Sequence, residues 1–75
     1  MWILDEIGES IVVLRKQKGW TQERLALDSD ISVSYLRLIE HGQANPTIRE
    51  LLKIASVLGV ELRNPFDVPI PAGVS

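Results

Sequence analysis

Cysteine is absent from this 75-residue chain. That rules out disulfide staples, thiolate zinc sites and cysteine nucleophiles, and it fits a reducing cytoplasm. Histidine occurs once, at His41. No second ligand or nucleophile stands at a recognisable spacing from it, so a helix-end residue is expected there and a metal site is not. Paired carboxylates and nucleophile–base constellations are missing too, which leaves no enzyme chemistry and no cofactor to expect. Aromatics are few: Trp2, Trp20, Tyr35 and Phe66. No apolar run approaches the ~20 residues of a membrane span. The opening Met1 to Glu6 is acidic, where a secretory leader needs a basic start.

An excess of positive charge is also lacking, since the formal net charge is -2. Affinity for nucleic acid comes mostly from cations set on phosphates, so the total argues against it at first sight. The distribution matters more. Between Arg15 and Arg49 lie Lys16, Lys18, Arg24 and Arg37 against Glu23, Asp28, Asp30 and Glu40. Asp5, Glu6, Glu9, Glu50, Glu61 and Asp67 lie outside. The middle is mildly basic and the ends are acidic. Weak non-specific binding, governed by where a few cations point, is the expectation.

What is present is helical periodicity. Ile7, Ile11 and Leu14, widened by Val12 and Val13, predict a first helix from about Glu6 to Lys18. Asp5 is its expected N-cap, and Gly19 its stop. A second, short helix is expected from Gln22 to Ser29, capped by Thr21, with Leu25 and Ala26 inward. A turn at Asp30-Ile31 leads through the cap Ser32 to a third helix ending at His41-Gly42, with Leu36 and Ile39 as its apolar stripe. Gln43 to Pro46 reads as a loop. Thr47 to Glu50 is a T-x-x-E capping box opening a fourth helix through Leu51, Leu52, Ile54, Ala55 and Leu58, stopped by Gly59.

After Gly59 the pattern weakens. Leu62 and Phe66 can dock through a short helical turn, and Asn64-Pro65 opposes a regular helix. The chain divides into a domain over residues 1–66 and an extended tail over 67–75. Val68 to Val74 is either frayed or an arm on a partner subunit. The expected fold is all-α, a compact four- to five-helix bundle. Trp20 is expected in the core. Trp2, with Ile3, Leu4 and Ile7, either caps that core or joins a dimer surface.

Two short helices with a tight turn can lay one across a phosphate backbone and the next in a major groove. The close crossing needs a small residue, which Ala26 supplies, and the turn needs a left-handed residue, which Asp30 tolerates. Leu25, Ile31, Leu36 and Ile39 would seat both helices. Thr21 to Gly42 thus has the pattern of a helix-turn-helix.

Lys18-Gly19-Trp20-Thr21-Gln22-Glu23-Arg24-Leu25-Ala26 resembles the K-G-x-[TS]-Q-x-x-L-A signature of the phage repressor/Cro-type (XRE-like) helix-turn-helix family. Ser34-Tyr35-Leu36 with Ile39-Glu40-His41-Gly42 resembles its recognition helix, and Asn45-Pro46-Thr47 with Leu51 to Ala55 its last regular segment. The resemblance implies that Gln22 bonds a phosphate and orients the recognition helix. It implies that Ser32, Val33, Ser34, Arg37 and Leu38 face the groove as base-contacting residues. Arg37 is the best base reader among them, because a guanidinium takes guanine O6 and N7 together. Tyr35, Gln43 and Asn45 match positions on the sugar-phosphate backbone. Arg15 and Glu40 match a structural pair that locks the third helix against the first. The chain departs from the pattern at Asp30, Ser29, Leu38 and Pro65.

The expectation is a cytoplasmic transcriptional regulator, a homodimeric repressor or autoregulator that reads double-stranded DNA at a palindromic operator through its third helix. No membrane, metal or cofactor enters it. The alternatives are an antitoxin with a toxin partner, and a protein-interaction module using the same fold with weak or no DNA reading.

Overall fold

The computed structural model describes residues 2–60, which form four helices: α1 Trp2–Gln17, α2 Gln22–Asp28, α3 Val33–Glu40 and α4 Ile48–Leu58. Among the described residues there is no strand. The segment 61–75, with Leu62, Phe66 and the tail, lies outside them, as does the side chain of Trp2.

Capping chemistry sets most of the boundaries. Thr21 Oγ1 accepts from the Arg24 amide at 3.0 Å and opens α2. Ser32 Oγ accepts from the Tyr35 amide at 3.0 Å and opens α3. At α4 the Thr47 hydroxyl and the Glu50 carboxylate cap each other's amides, at 3.1 and 2.8 Å. Gly19 and Gly59 close α1 and α4 in left-handed backbone, at φ 71° and 76°. Between α2 and α3, Asp30 takes the same region at φ 59°, and the Ile31 amide returns to the Ala26 carbonyl at 3.0 Å.

The start of α1 differs from expectation. The helix begins at Trp2, and Asp5 is an exposed residue of its first turn rather than its cap. Ile3 packs against the core and adds a turn to the apolar stripe of Ile7, Ile11 and Leu14, so burial extends the helix ahead of the expected cap at Asp5. An acid in that first turn still suits the positive end of the helix dipole.

The core gathers Ile7, Ile11, Leu14, Leu25, Ala26, Leu36, Ile39, Leu51, Ile54 and Leu58. Helix α1 packs across α3, and α2 lies against α3 and α4. The α1–α3 crossing depends on Gly8. A β-carbon there would stand 2.5 Å from the Glu40 carbonyl oxygen and 2.6 Å from that of Ile39. Backbone meets backbone at this point, and only glycine fits. Trp20 sits at the rim, half-buried, with Lys18 Nζ 5.2 Å and the Arg24 guanidinium 4.5 Å from its ring. Only its body reaches the core it was expected to fill.

Candidate nucleic-acid interface

The short α2 and the turn at Asp30 present one face of α3 to solvent. Ser34, Arg37 and Leu38 follow at i, i+3 and i+4, and all are exposed. Ser32 is exposed at the helix start. Val33 is half-buried and leans on the core, so it contributes less open surface than the others. Gln43 and Asn45 are exposed in the loop after α3.

Beneath this face runs a chain of polar contacts. Arg15 Nε donates to Glu40 Oε2 at 2.8 Å, and Nη2 donates to Oε1 at 3.2 Å. Nη1 donates to the Trp20 carbonyl at 2.9 Å. This side-on fork joins α1 to the last residue of α3, with side-chain exposures of 11% and 3%. Gln22 then adds its amide: Nε2 donates to Glu40 Oε1 at 2.8 Å, and Oε1 accepts from Arg37 Nε at 3.1 Å. Finally, Arg37 Nη2 donates to Glu23 Oε2 at 3.3 Å. Five side chains on α1, α2 and α3 are thus linked from a buried ion pair to an exposed one.

Two of the expected backbone-contacting residues have partners within the protein. Both ends of the Gln22 amide are engaged, so a phosphate would have to share its NH2 group with Glu40. Tyr35 is half-buried, and its hydroxyl donates to Glu50 Oε1 at 2.7 Å, tying α3 to the cap of α4. Burial first, then this bond and the charge of Glu50, push the Tyr35 hydroxyl up to about 12. The Thr47 amide first, then the Tyr35 hydroxyl, hold the Glu50 carboxyl below its ordinary range. Glu23 was missed among the candidate residues. Nothing in helical spacing relates it to Arg37, because their contact is made across the angle between two helices. Other cations near the face are also paired, Arg24 with Asp28 at 3.0 Å and Lys53 with Asp30 at 3.9 Å.

The chain is similar to known proteins over the same stretch. The family described as Helix-turn-helix matches residues 13–63. The HTH-type transcriptional regulator SlrR of Bacillus subtilis is 44% identical over 62 residues, covering 81% of this chain and 41% of SlrR. An uncharacterized HTH-type transcriptional regulator of Sinorhizobium fredii, y4dJ, is 41% identical over 64 residues, covering 81% of this chain and 83% of y4dJ. The crystal structure of the restriction-modification controller protein C.AhdI from Aeromonas hydrophila superposes with a TM-score of 0.79 at 36% identity, covering 81% of this chain and 92% of that one. This chain therefore spans less than half of SlrR but most of y4dJ and C.AhdI. The family is one of transcription regulators and not an enzyme class. The matched stretch takes in α2, the Asp30 turn and α3, and on these grounds the chain belongs to the XRE-type helix-turn-helix family of DNA-binding regulators.

Proposed function

We propose that this protein is a homodimeric, sequence-specific repressor or autoregulator that places α3 of each copy in the major groove of a palindromic operator. The observation that carries the reading is the exposed row Ser34, Arg37 and Leu38 on a helix fixed from beneath by Arg15, Glu40 and Gln22. Arg37 takes guanine O6 and N7, Ser32 and Ser34 bond base edges or phosphate, and Val33 and Leu38 touch thymine methyls. Gln22, Tyr35, Gln43 and Asn45 flank the groove on the sugar-phosphate side. Dimerisation is supported by Ile48 and Leu52, one turn apart on α4 and exposed at 43% and 47%. The half-sites are then centred roughly 34 Å apart, one turn of DNA. Likeness to a restriction-modification controller over 92% of its chain favours that narrower role over an antitoxin's.

Selection of bound duplexes from random DNA tests the reading. The expected product is a two-fold symmetric site bound by two chains, with affinity falling steeply as salt rises. Arg37→Ala should flatten discrimination at one base pair in each half-site. Failure to bind any duplex even at low salt would instead assign the fold to a protein-interaction module.

A further inference from the structure

Arg37 leaves the exposed face of α3 and reaches back over the start of α2. Its Nε is bonded to Gln22 Oε1 at 3.1 Å and its Nη2 to Glu23 Oε2 at 3.3 Å. These two nitrogens form the side edge of the guanidinium. Arg15 uses the same edge on Glu40. An arginine carries five N–H donors in a fixed fork, so the side edge takes only part of the set. Among the described residues the end edge of Arg37, one Nη1 hydrogen beside the second Nη2 hydrogen, is left over. Two parallel donors on that edge match the adjacent O6 and N7 acceptors of guanine. Arg37 can therefore be held by the protein and read a base at the same time.

We propose that Glu23 is a specificity-determining positioning residue: with Gln22 it grips the side edge of Arg37 and turns the end edge outward for guanine. The proposal rests on the reading of Arg37 as a base contact. The grip is built on firm ground. Gln22 and Glu23 are consecutive residues in the first turn of α2, and the other end of the Gln22 amide is bonded to the buried Glu40. Stability does not explain the pair, since Arg37 and Glu23 are 49% and 65% exposed and such pairs contribute little.

Charge gives the carboxylate a second effect. An arginine without a partner is free to swing to any phosphate, which carries no sequence information. With Glu23 beside it, Arg37 is largely neutralised toward phosphate, and Glu23 itself is repelled by the DNA backbone. Non-specific affinity falls while the guanine contact is kept. Since specificity is the difference between the two affinities, Glu23 raises it from both sides.

The experiment uses the full chain, a duplex recovered by selection, a set of single base-pair changes in that duplex, and a random duplex. Wild type is compared with Arg37→Ala, Glu23→Ala and Glu23→Gln, with thermal melts of each. Arg37→Ala should lose about tenfold discrimination at one G·C pair. Glu23→Ala should lose several-fold discrimination at that same pair, bind the random duplex more tightly, and melt close to wild type. Glu23→Gln keeps an acceptor without the charge. It should restore discrimination at the pair while still binding random duplex more tightly than wild type. If Glu23→Ala keeps full discrimination at the pair that Arg37→Ala identifies, the proposal is overturned and the reading of Arg37 stands. A uniform loss of affinity on all duplexes would likewise overturn it. If Arg37→Ala changes discrimination nowhere, or no duplex is recovered, the reading of Arg37 falls and takes the proposal with it.

Discussion

Replacing Glu40 by alanine removes the carboxylate on which Arg15 and Gln22 converge. Three hydrogen bonds end on it, at 2.8 and 3.2 Å from Arg15 and 2.8 Å from Gln22. Afterwards Arg15, 11% exposed, keeps only the Trp20 carbonyl as partner among the described residues. A buried cation left without its counter-charge costs about 3–5 kcal/mol. The same change removes a negative charge from the C-terminal end of α3, a gain of about 0.3–1 kcal/mol that does not alter the sign. At 0.05–0.15 kcal/mol per residue, a 75-residue chain has roughly 4–11 kcal/mol in total. Glu40→Ala should therefore lose a net of roughly 2–5 kcal/mol, from about a fifth of the stability to all of it. Urea unfolding followed by helical circular dichroism measures this, with the midpoint falling and the slope unchanged. The double variant Arg15→Met/Glu40→Leu removes both charges and should recover most of the loss. A loss below about 1 kcal/mol for Glu40→Ala is the value of a surface pair and would refute the reasoning. A double variant as unstable as the single one would shift the cause from charge to packing.

Gly8→Ala should destabilise the fold by about 1–3 kcal/mol in the same assay, because its methyl group meets two carbonyl oxygens at 2.5 and 2.6 Å. The ~1 kcal/mol that alanine gains in helix propensity does not offset this, and a variant more stable than wild type would disprove the close approach. Ser29→Ala should leave the stability unchanged or raise it by up to about 1 kcal/mol, since Ser29 Oγ is buried without a hydrogen-bond partner among the described residues; a clear loss would show that the hydroxyl is bonded in solution. Tyr35 is the only tyrosine, so tyrosinate absorbance reports it alone, with an expected midpoint of about 12 that falls in Glu50→Gln. Because the folded value lies above the unfolded value of about 10, this stabilisation is complete below pH 10 and is lost as pH rises toward 12. A wild-type midpoint near 10 would mean that neither burial nor Glu50 holds the proton on Tyr35.

The caps were legible in the sequence because each is local chemistry. Thr21, Ser32 and the Thr47–Glu50 box act within three residues of themselves. Apolar spacing within α1, α3 and α4 gave the core for the same reason. What was illegible depends on distant partners. The extension of α1 to Trp2 needs the core against which Ile3 packs. The need for glycine at position 8 arises only where the carbonyls of Ile39 and Glu40 are brought against it, 31 and 32 residues along the chain. Trp20 reads as a core residue, but it follows the stop at Gly19 and lies at the rim under two cations. On the exposed face of α3 the resemblance pointed to Gln22, and guanidinium chemistry to Arg37, but neither gave their mutual bond. Tyr35 matches a family position on the sugar-phosphate backbone, and its additional bond to Glu50 is illegible because it joins α3 to α4 across the fold.

The polar chain from Arg15 to Glu23 has two ends that obey different energetics. At the buried end the Arg15–Glu40 pair is 11% and 3% exposed, and removing one partner threatens the fold. At the exposed end the Arg37–Glu23 pair stands in water, where forming or breaking it costs little. Gln22 joins the two, with one end of its amide in each environment. If α3 reads DNA as proposed, this gradient is functional. The orientation of the recognition helix is fixed before DNA arrives, so ordering it adds no cost on binding. The reading side chain at the far end stays cheap to retune. Substitutions at positions 23, 34, 37 and 38 should therefore change which sequence is bound at almost no cost in stability. Substitutions at 15 and 40 should lower stability and affinity for every duplex together. A variant at position 40 that changed sequence preference while melting like wild type would contradict this division.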